Sequence, residues 1–192
     1  MKKLSITIAV VTVLYILQAC NGNSKHDAVA KADSLNAVKD TTKQLSIAVE
    51  KMDAQFIVDA ANGDLTQIEL GNLAQQKGIS KQVKNFGAMI TKDHSAINDM
   101  VKAIAVTKNI SIPKAPGAKE QKKIKKLRTK SGKDFDKAYI REMISDHEKD
   151  IKTFQTAAKK CLDPDVKSFA EKTIPVLQQH LDAINAIEES MR

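Results

Sequence analysis

Tryptophan is absent from this 192-residue chain, and proline and glycine are scarce at four and seven residues. So few turn formers, with aromatics at only 4%, exclude a fold of many short strands and tight turns and leave helices as the default. The same lack of aromatics removes the stacking platforms that single-stranded nucleic acid needs, so the formal charge of +8 is not read as a nucleic-acid surface. Cysteine is limited to Cys20 and Cys161. What is present is a 42% share of hydrophobic residues, enough for a packed interior in one domain plus extras.

The first twenty residues, "MKKLSITIAVVTVLYILQAC", read as an address. Lys2 and Lys3 precede an apolar run from Leu4 to Leu17, shorter than the roughly 20 residues that a membrane-spanning helix requires. The run ends in "LQAC", which resembles the lipobox of bacterial lipoproteins, although Gln18 departs from the small residue usual there. That resemblance makes residues 1–19 a signal peptide and Cys20 the lipid attachment point, with several acyl chains giving a stable anchor. Cys161 is then alone, and no intrachain disulfide is expected. Loss of Lys2 and Lys3 lowers the charge from +8 to +6, still basic enough to meet anionic lipid or envelope polymer. Residues 20–50 are polar and small, which suits a membrane tether, with a loose helix from about Asp27 to Lys43.

Residues 51–190 carry four strong helical patterns. The first runs from Asp53, read as its N-cap, to Lys77, where Gly78 stops it. The second opens at Ser80 and places Val83, Phe86, Ile90, Ile97, Val101 and Ile104 on one face. The third spans about Lys133 to Lys160. The fourth starts "DPDV", with Asp163 as cap and Pro164 in the first turn, and Pro175 is expected to bend it near Glu171. Short turns inside each pair predict two antiparallel hairpins. The piece between them, Lys108 to Gly132, is about 25 residues, long enough to climb helices of roughly 40 Å. Two hairpins with one long crossover predict an all-α, ferritin-like four-helix bundle.

Three of the four histidines fall on apolar stripes: His94 between Ile90 and Ile97, His147 between Met143 and Ile151, His180 between Val176 and Ile184. All three are expected to point inward. Counting residues along the helices puts His94 and His147 at one level. His180 and Glu69 fall at another, on the order of 8 Å away, with Tyr139 a neighbour. Glu69, His94, His147 and His180 form a ligand set suited to a single zinc, copper or iron ion. A di-iron site is not expected, because Thr91 and Leu177 stand where Glu-x-x-His motifs need carboxylates. The plainer reading gives the histidines to hydrogen bonds that fix helix register, with no cofactor required. On it Asp93 and Asp146, turned about 100° away, are flank residues or partners for lysines.

"KKIKKLRTKSGK" holds Lys122, Lys123, Lys125, Lys126, Arg128, Lys130 and Lys133 without one acid. Ile124 and Leu127 would pin a short helix there, leaving the cations as a solvated face or as a contact for anionic headgroups. Cys161 has no paired cysteine or catalytic partner.

"AANGDLTQIELGNLA", "VKNFGAMITKDH", "GKDFDKAYI", the third-helix His147 and "IPVLQQHL" together resemble a large group of uncharacterised bacterial envelope proteins, labelled outer-membrane proteins, with a ferritin-like four-helix domain. The resemblance covers about Met52 to Glu189. It implies the bundle fold, an envelope location facing the periplasm, a family pattern that includes Glu69, His94, His147 and His180, and no established reaction. Two readings follow. One is a lipid-anchored, non-catalytic binding or structural bundle; the other is a metal-binding, redox-capable protein on the same scaffold.

Overall fold

The computed structural model describes residues 27–42 and 49–191, so the expected signal peptide and Cys20 lie outside the described residues. Among the described residues the chain is all-helical and has no strand. Its six helices are α1 (Ala28–Thr42), α2 (Lys51–Lys77), α3 (Lys81–Thr107), α4 (Ala118–Arg128), α5 (Gly132–Lys160) and α6 (Pro164–Ser190). None is long and apolar enough to cross a membrane.

The long helices pair as α2 with α3 and α5 with α6, and the pairs meet where α3 packs on α6 and α2 on α5. Two buried carboxylates fix the direction of each pair. Asp136, near the start of α5, accepts from the Ser80 amide at 2.8 Å and the Ile79 amide at 3.2 Å, in the α2–α3 turn. Asp53, near the start of α2, accepts from the Asp163 amide at 2.7 Å and the Leu162 amide at 3.1 Å, in the α5–α6 turn. Each hairpin therefore clasps the turn of the other with charge-assisted hydrogen bonds, which are stronger than neutral ones. At the Asp53 end, Lys108 after α3 pairs with Asp163 and Asp165 at 2.7 Å each. The segment from residue 108 to 131 thus climbs from one end of the bundle to the other, carrying α4 on the way.

Local chemistry sets the helix ends. Ser80 caps α3 by accepting from the Gln82 amide. Asp163 caps α6 by accepting from Asp165 and Val166, with Pro164 in the first turn. α6 then runs unbroken through the exposed Pro175. Asp53 is not the cap of α2: the helix already begins at Lys51 after Glu50, and Asp53 is spent on the neighbouring turn. Gly71 and Gly87 let α2 and α3 touch backbone to backbone. A Cβ on Gly87 would lie 2.7 Å from the Gly71 carbonyl oxygen, and one on Gly71 would lie 2.6 Å from Thr91 Oγ1. α1 packs on α2 and holds the crossover: Asn36 exchanges two hydrogen bonds with the Ser111 backbone, at 2.7 and 2.9 Å.

The apolar core is in two parts. One surrounds a trio of rings, Phe56, Phe154 and Phe169, with Ile97, Val101 and Val166. The other holds Leu70, Phe86, Ile90, Phe135, Tyr139 and Ile184, with Ile124 and Leu127 of α4 closing over it. Between them, at mid-height, lies a buried layer of Asp64, Gln67, His94, His147 and His180. Burying such groups opposes folding unless each finds a partner. A sequence selected for stability alone would place leucine there.

Candidate metal centre

Each long helix contributes to this layer from its middle. Asp64 and His94 are the central residues of α2 and α3, both 27 residues long, and His147 and His180 sit within three residues of the centres of α5 and α6. Their neighbours one turn away, Ile90, Ile97, Met143, Ile151 and Ile184, are buried, so the helix stripes aim all three rings inward. The histidine side chains are each no more than 2% exposed as residues, and one ring nitrogen from each lies within 4.8 Å of the others.

The hydrogen bonds decide which nitrogens face one another. His147 Nδ1 lies 2.8 Å from the Met143 carbonyl oxygen. A carbonyl only accepts, so this nitrogen carries the proton and His147 Nε2 presents a lone pair. His180 Nε2 lies 3.0 Å from Asp93 Oδ2, and as donor to that carboxylate it leaves the lone pair on Nδ1. His147 Nε2 and His180 Nδ1 are 3.3 Å apart. His94 Nδ1 lies 2.8 Å from Asp64 Oδ1, and His94 Nε2 has no hydrogen-bond partner. Three outer nitrogens are therefore held by Asp64, Asp93 and the Met143 carbonyl, while three inner ones converge. Facing lone pairs repel unless a cation lies between them. Metal-binding histidines have this pattern, with the second N–H donated to a carboxylate or carbonyl.

Burial disfavours charge on the rings. It pushes His94 down to about 4, against the pull of Asp93, and His147 down to about 3, with His94 acting in the same direction. It lowers His180 too, and there the hydrogen bond to Asp93 works in opposition. Neutral imidazoles are the form that binds metal. Burial also raises the Asp64 carboxyl well above its ordinary value. A cation at His94 Nε2 would favour the ionised carboxylate, accepting from His94 Nδ1–H.

The sequence-predicted residues are divided by this geometry. His94, His147 and His180 come together at one level, without the two-tier separation expected from residue counts. That count ran from the C-terminal end of the last helix. Counted instead from the 161–163 turn that α5 and α6 share, His147 and His180 differ by less than a helical turn. Glu69 is exposed and does not join them. It lies five residues past Asp64, about 140° round the helix. The buried carboxylate is Asp64, which sequence reading missed because the middle of α2 carries small and polar residues on its inner face. Steps of three and four back from Leu70, through Gln67 to Asp64, Ala60 and Ile57, were the available signal. Asp93 was taken as a flank residue; it is the partner of His180. Asp146 does pair with a lysine, Lys123.

Tyr139 is buried two turns above His147 in the upper core, with its hydroxyl unpartnered. In the basic tract, Lys122, Lys125, Lys126, Arg128 and Lys133 are exposed and Lys130 is half-buried. Lys123 turns inward to pair with Glu142 at 2.9 Å and with Asp146. Cys161 is a buried free thiol after α5, pushed up to about 12 by burial and by its hydrogen bond to Asp53.

Fold and site together define an all-helical bundle whose core is cut by a layer of buried histidines. The chain belongs to the family described as "Domain of unknown function (DUF4142)", whose profile matches residues 38–187. That span contains the whole layer. The resemblance to an uncharacterised family therefore holds at that level. No curated protein matches the chain. It is similar to the solved "Crystal structure of DUF305 fragment from Deinococcus radiodurans", with a TM-score of 0.64 and 12% identity over 72% of this chain and 96% of that one. At that identity the likeness is one of fold.

Proposed function

We propose that this protein binds one first-row transition-metal ion, zinc or copper, through His94 Nε2, His147 Nε2 and His180 Nδ1. The observation that carries the reading is the 3.3 Å approach of two imidazole nitrogens whose opposite nitrogens are both bound to acceptors. It matches the roughly 3.4 Å that separates two nitrogens bound to one tetrahedral zinc at 2.0–2.1 Å. The donor set is all imidazole, which suits zinc and copper; hard cations such as magnesium or calcium take oxygen ligands. Asp64, Asp93 and the Met143 carbonyl orient the rings, and a coordination position is left for water or an exogenous ligand. The carboxylates that bridge two irons in ferritin-like oxidases have no counterpart, so a di-iron oxidase is not the reading.

The ferritin-like description rests on the two antiparallel hairpins and the crossover. The signal-like residues 1–19 and Cys20 support a lipid-anchored protein of the bacterial envelope, the outer membrane facing the periplasm being the site we assign. On this reading the exposed cations of α4 meet anionic lipid or envelope polymer.

The test is titration of metal-free protein with zinc and with copper against a chromophoric chelator. One ion per chain is expected, and none in the His94→Ala/His147→Ala double variant. Absence of binding by the unaltered protein at micromolar metal would return the histidines to a purely structural role, with a shared proton between His147 and His180.

A further inference from the structure

We infer that the cleft between α2 and α5 is the loading route for a hydrated divalent cation, ending at Asp64 and Gln67. This rests on the metal reading above and adds how the ion reaches a site whose ligands are buried. The cleft has a volume of about 440 Å³, and of the three histidines only His94 lines it. α4 borders it through Lys119, Glu120 and Lys123. Its walls carry six acidic side chains against three lysines, and burial favours the neutral form of two of the acids, Asp64 and Asp150. One of those lysines, Lys123, is already paired with Glu142 and Asp146. A low-dielectric cleft with an excess of one sign of charge concentrates ions of the other, so this one favours cations over phosphate or carboxylate ligands.

The acidic walls alone would not identify a ligand. The inner end supplies a separate observation: Asp64 and Gln67, 3% and 2% exposed, both line the cleft, and Asp64 Oδ2 and Gln67 Oε1 have no hydrogen-bond partner. Two buried, unpartnered oxygens on residues that line a polar cavity call for a hydrogen-bonding partner, and the coordinated waters of an arriving ion provide it. Asp64 then serves both ends of the transfer. Oδ2 takes hydrogens from the ion's waters, while Oδ1 orients the first imidazole the ion meets.

Gly63 makes the route testable. It lines the cleft, and a Cβ there would meet nothing within 4 Å, so a side chain can be added at the cleft wall without a clash at its first carbon. Replacing a mid-helix glycine also favours the helix itself. Metal-free full-length protein in detergent is mixed with cobalt(II) in a stopped-flow instrument, and the visible bands of the bound ion are followed. Gly63→Leu is expected to load at least tenfold more slowly and to reach the same final stoichiometry. Asp59→Asn/Asp150→Asn, which keeps the passage open but weakens its field, should load severalfold more slowly at low salt and converge with the unaltered protein at high salt. Loading of both variants at the unaltered rate would overturn the route and leave the three-histidine site standing. No uptake by the unaltered protein would overturn both.

Discussion

Replacing His147 with leucine separates a metal site from a structural histidine. A ligand present at one hundred times its dissociation constant stabilises the folded state by about 2.7 kcal/mol. In a protein of this size each kcal/mol moves the melting temperature by about 2–4 °C, so zinc should raise that of the unaltered protein by about 5–11 °C. His147→Leu removes one of the three ligands, and the same zinc concentration should then move the melt by less than about 2 °C. The metal-free proteins should differ much less. The lost side-chain bond to the Met143 carbonyl is worth about 1 kcal/mol, and that carbonyl keeps its helical partner. Leucine also removes one of two facing lone pairs and packs beside Phe86, whose ring centre lies 6.5 Å from that of His147. Calorimetry with chelator or with zinc reads both quantities. A large fall in the metal-free melt of His147→Leu, with no zinc response in the unaltered protein, would refute the reasoning.

Three further outcomes follow from the packing and the buried charges. Gly87→Ala should destabilise by about 1–3 kcal/mol despite alanine's better helix propensity, because its methyl would meet backbone oxygen at 2.7 Å; denaturant melts check this. Asp136→Ala should cost about 3 kcal/mol by releasing the Ile79 and Ser80 amides, while Asp134→Ala, exposed two residues earlier, should change stability little. Burial, reinforced by Asp146, raises Asp150 from 3.8 to about 7, so its stabilising contribution is full below its unfolded value and is lost as pH rises through 7. Asp150→Asn should accordingly gain on the unaltered protein between pH 5 and pH 8, by up to about 3 kcal/mol, as read from melts across that range.

The helices were legible because their apolar residues recur at three and four and their ends carry recognisable caps, as at Ser80 and Asp163-Pro164. The hairpins followed from turn lengths, and the inward aim of the three histidines from their places in the stripes. α2 was harder. Its inner face in the centre is Ala60, Ala61, Asp64 and Gln67, so apolar periodicity gave no phase there, and Glu69 was named while Asp64 went unnoticed. Asp53 was misread for a related reason: its side chain satisfies amides more than one hundred residues away, and no local pattern announces that. The level of His180 was misplaced because it was counted from the far end of α6 and not from the turn that α6 shares with α5. The proton positions that make the cluster a candidate metal centre exist only in three dimensions, in the pairing of each outer nitrogen with a partner from the same or another helix.

X-ray absorption at the metal edge of zinc-loaded protein tests the central claim most directly. Three imidazoles should appear, with a nitrogen shell at about 2.0–2.1 Å, the outer-ring scattering of three histidines and no sulfur. A spectrum with one imidazole or none, or with a sulfur shell, would place the ion elsewhere and contradict the account.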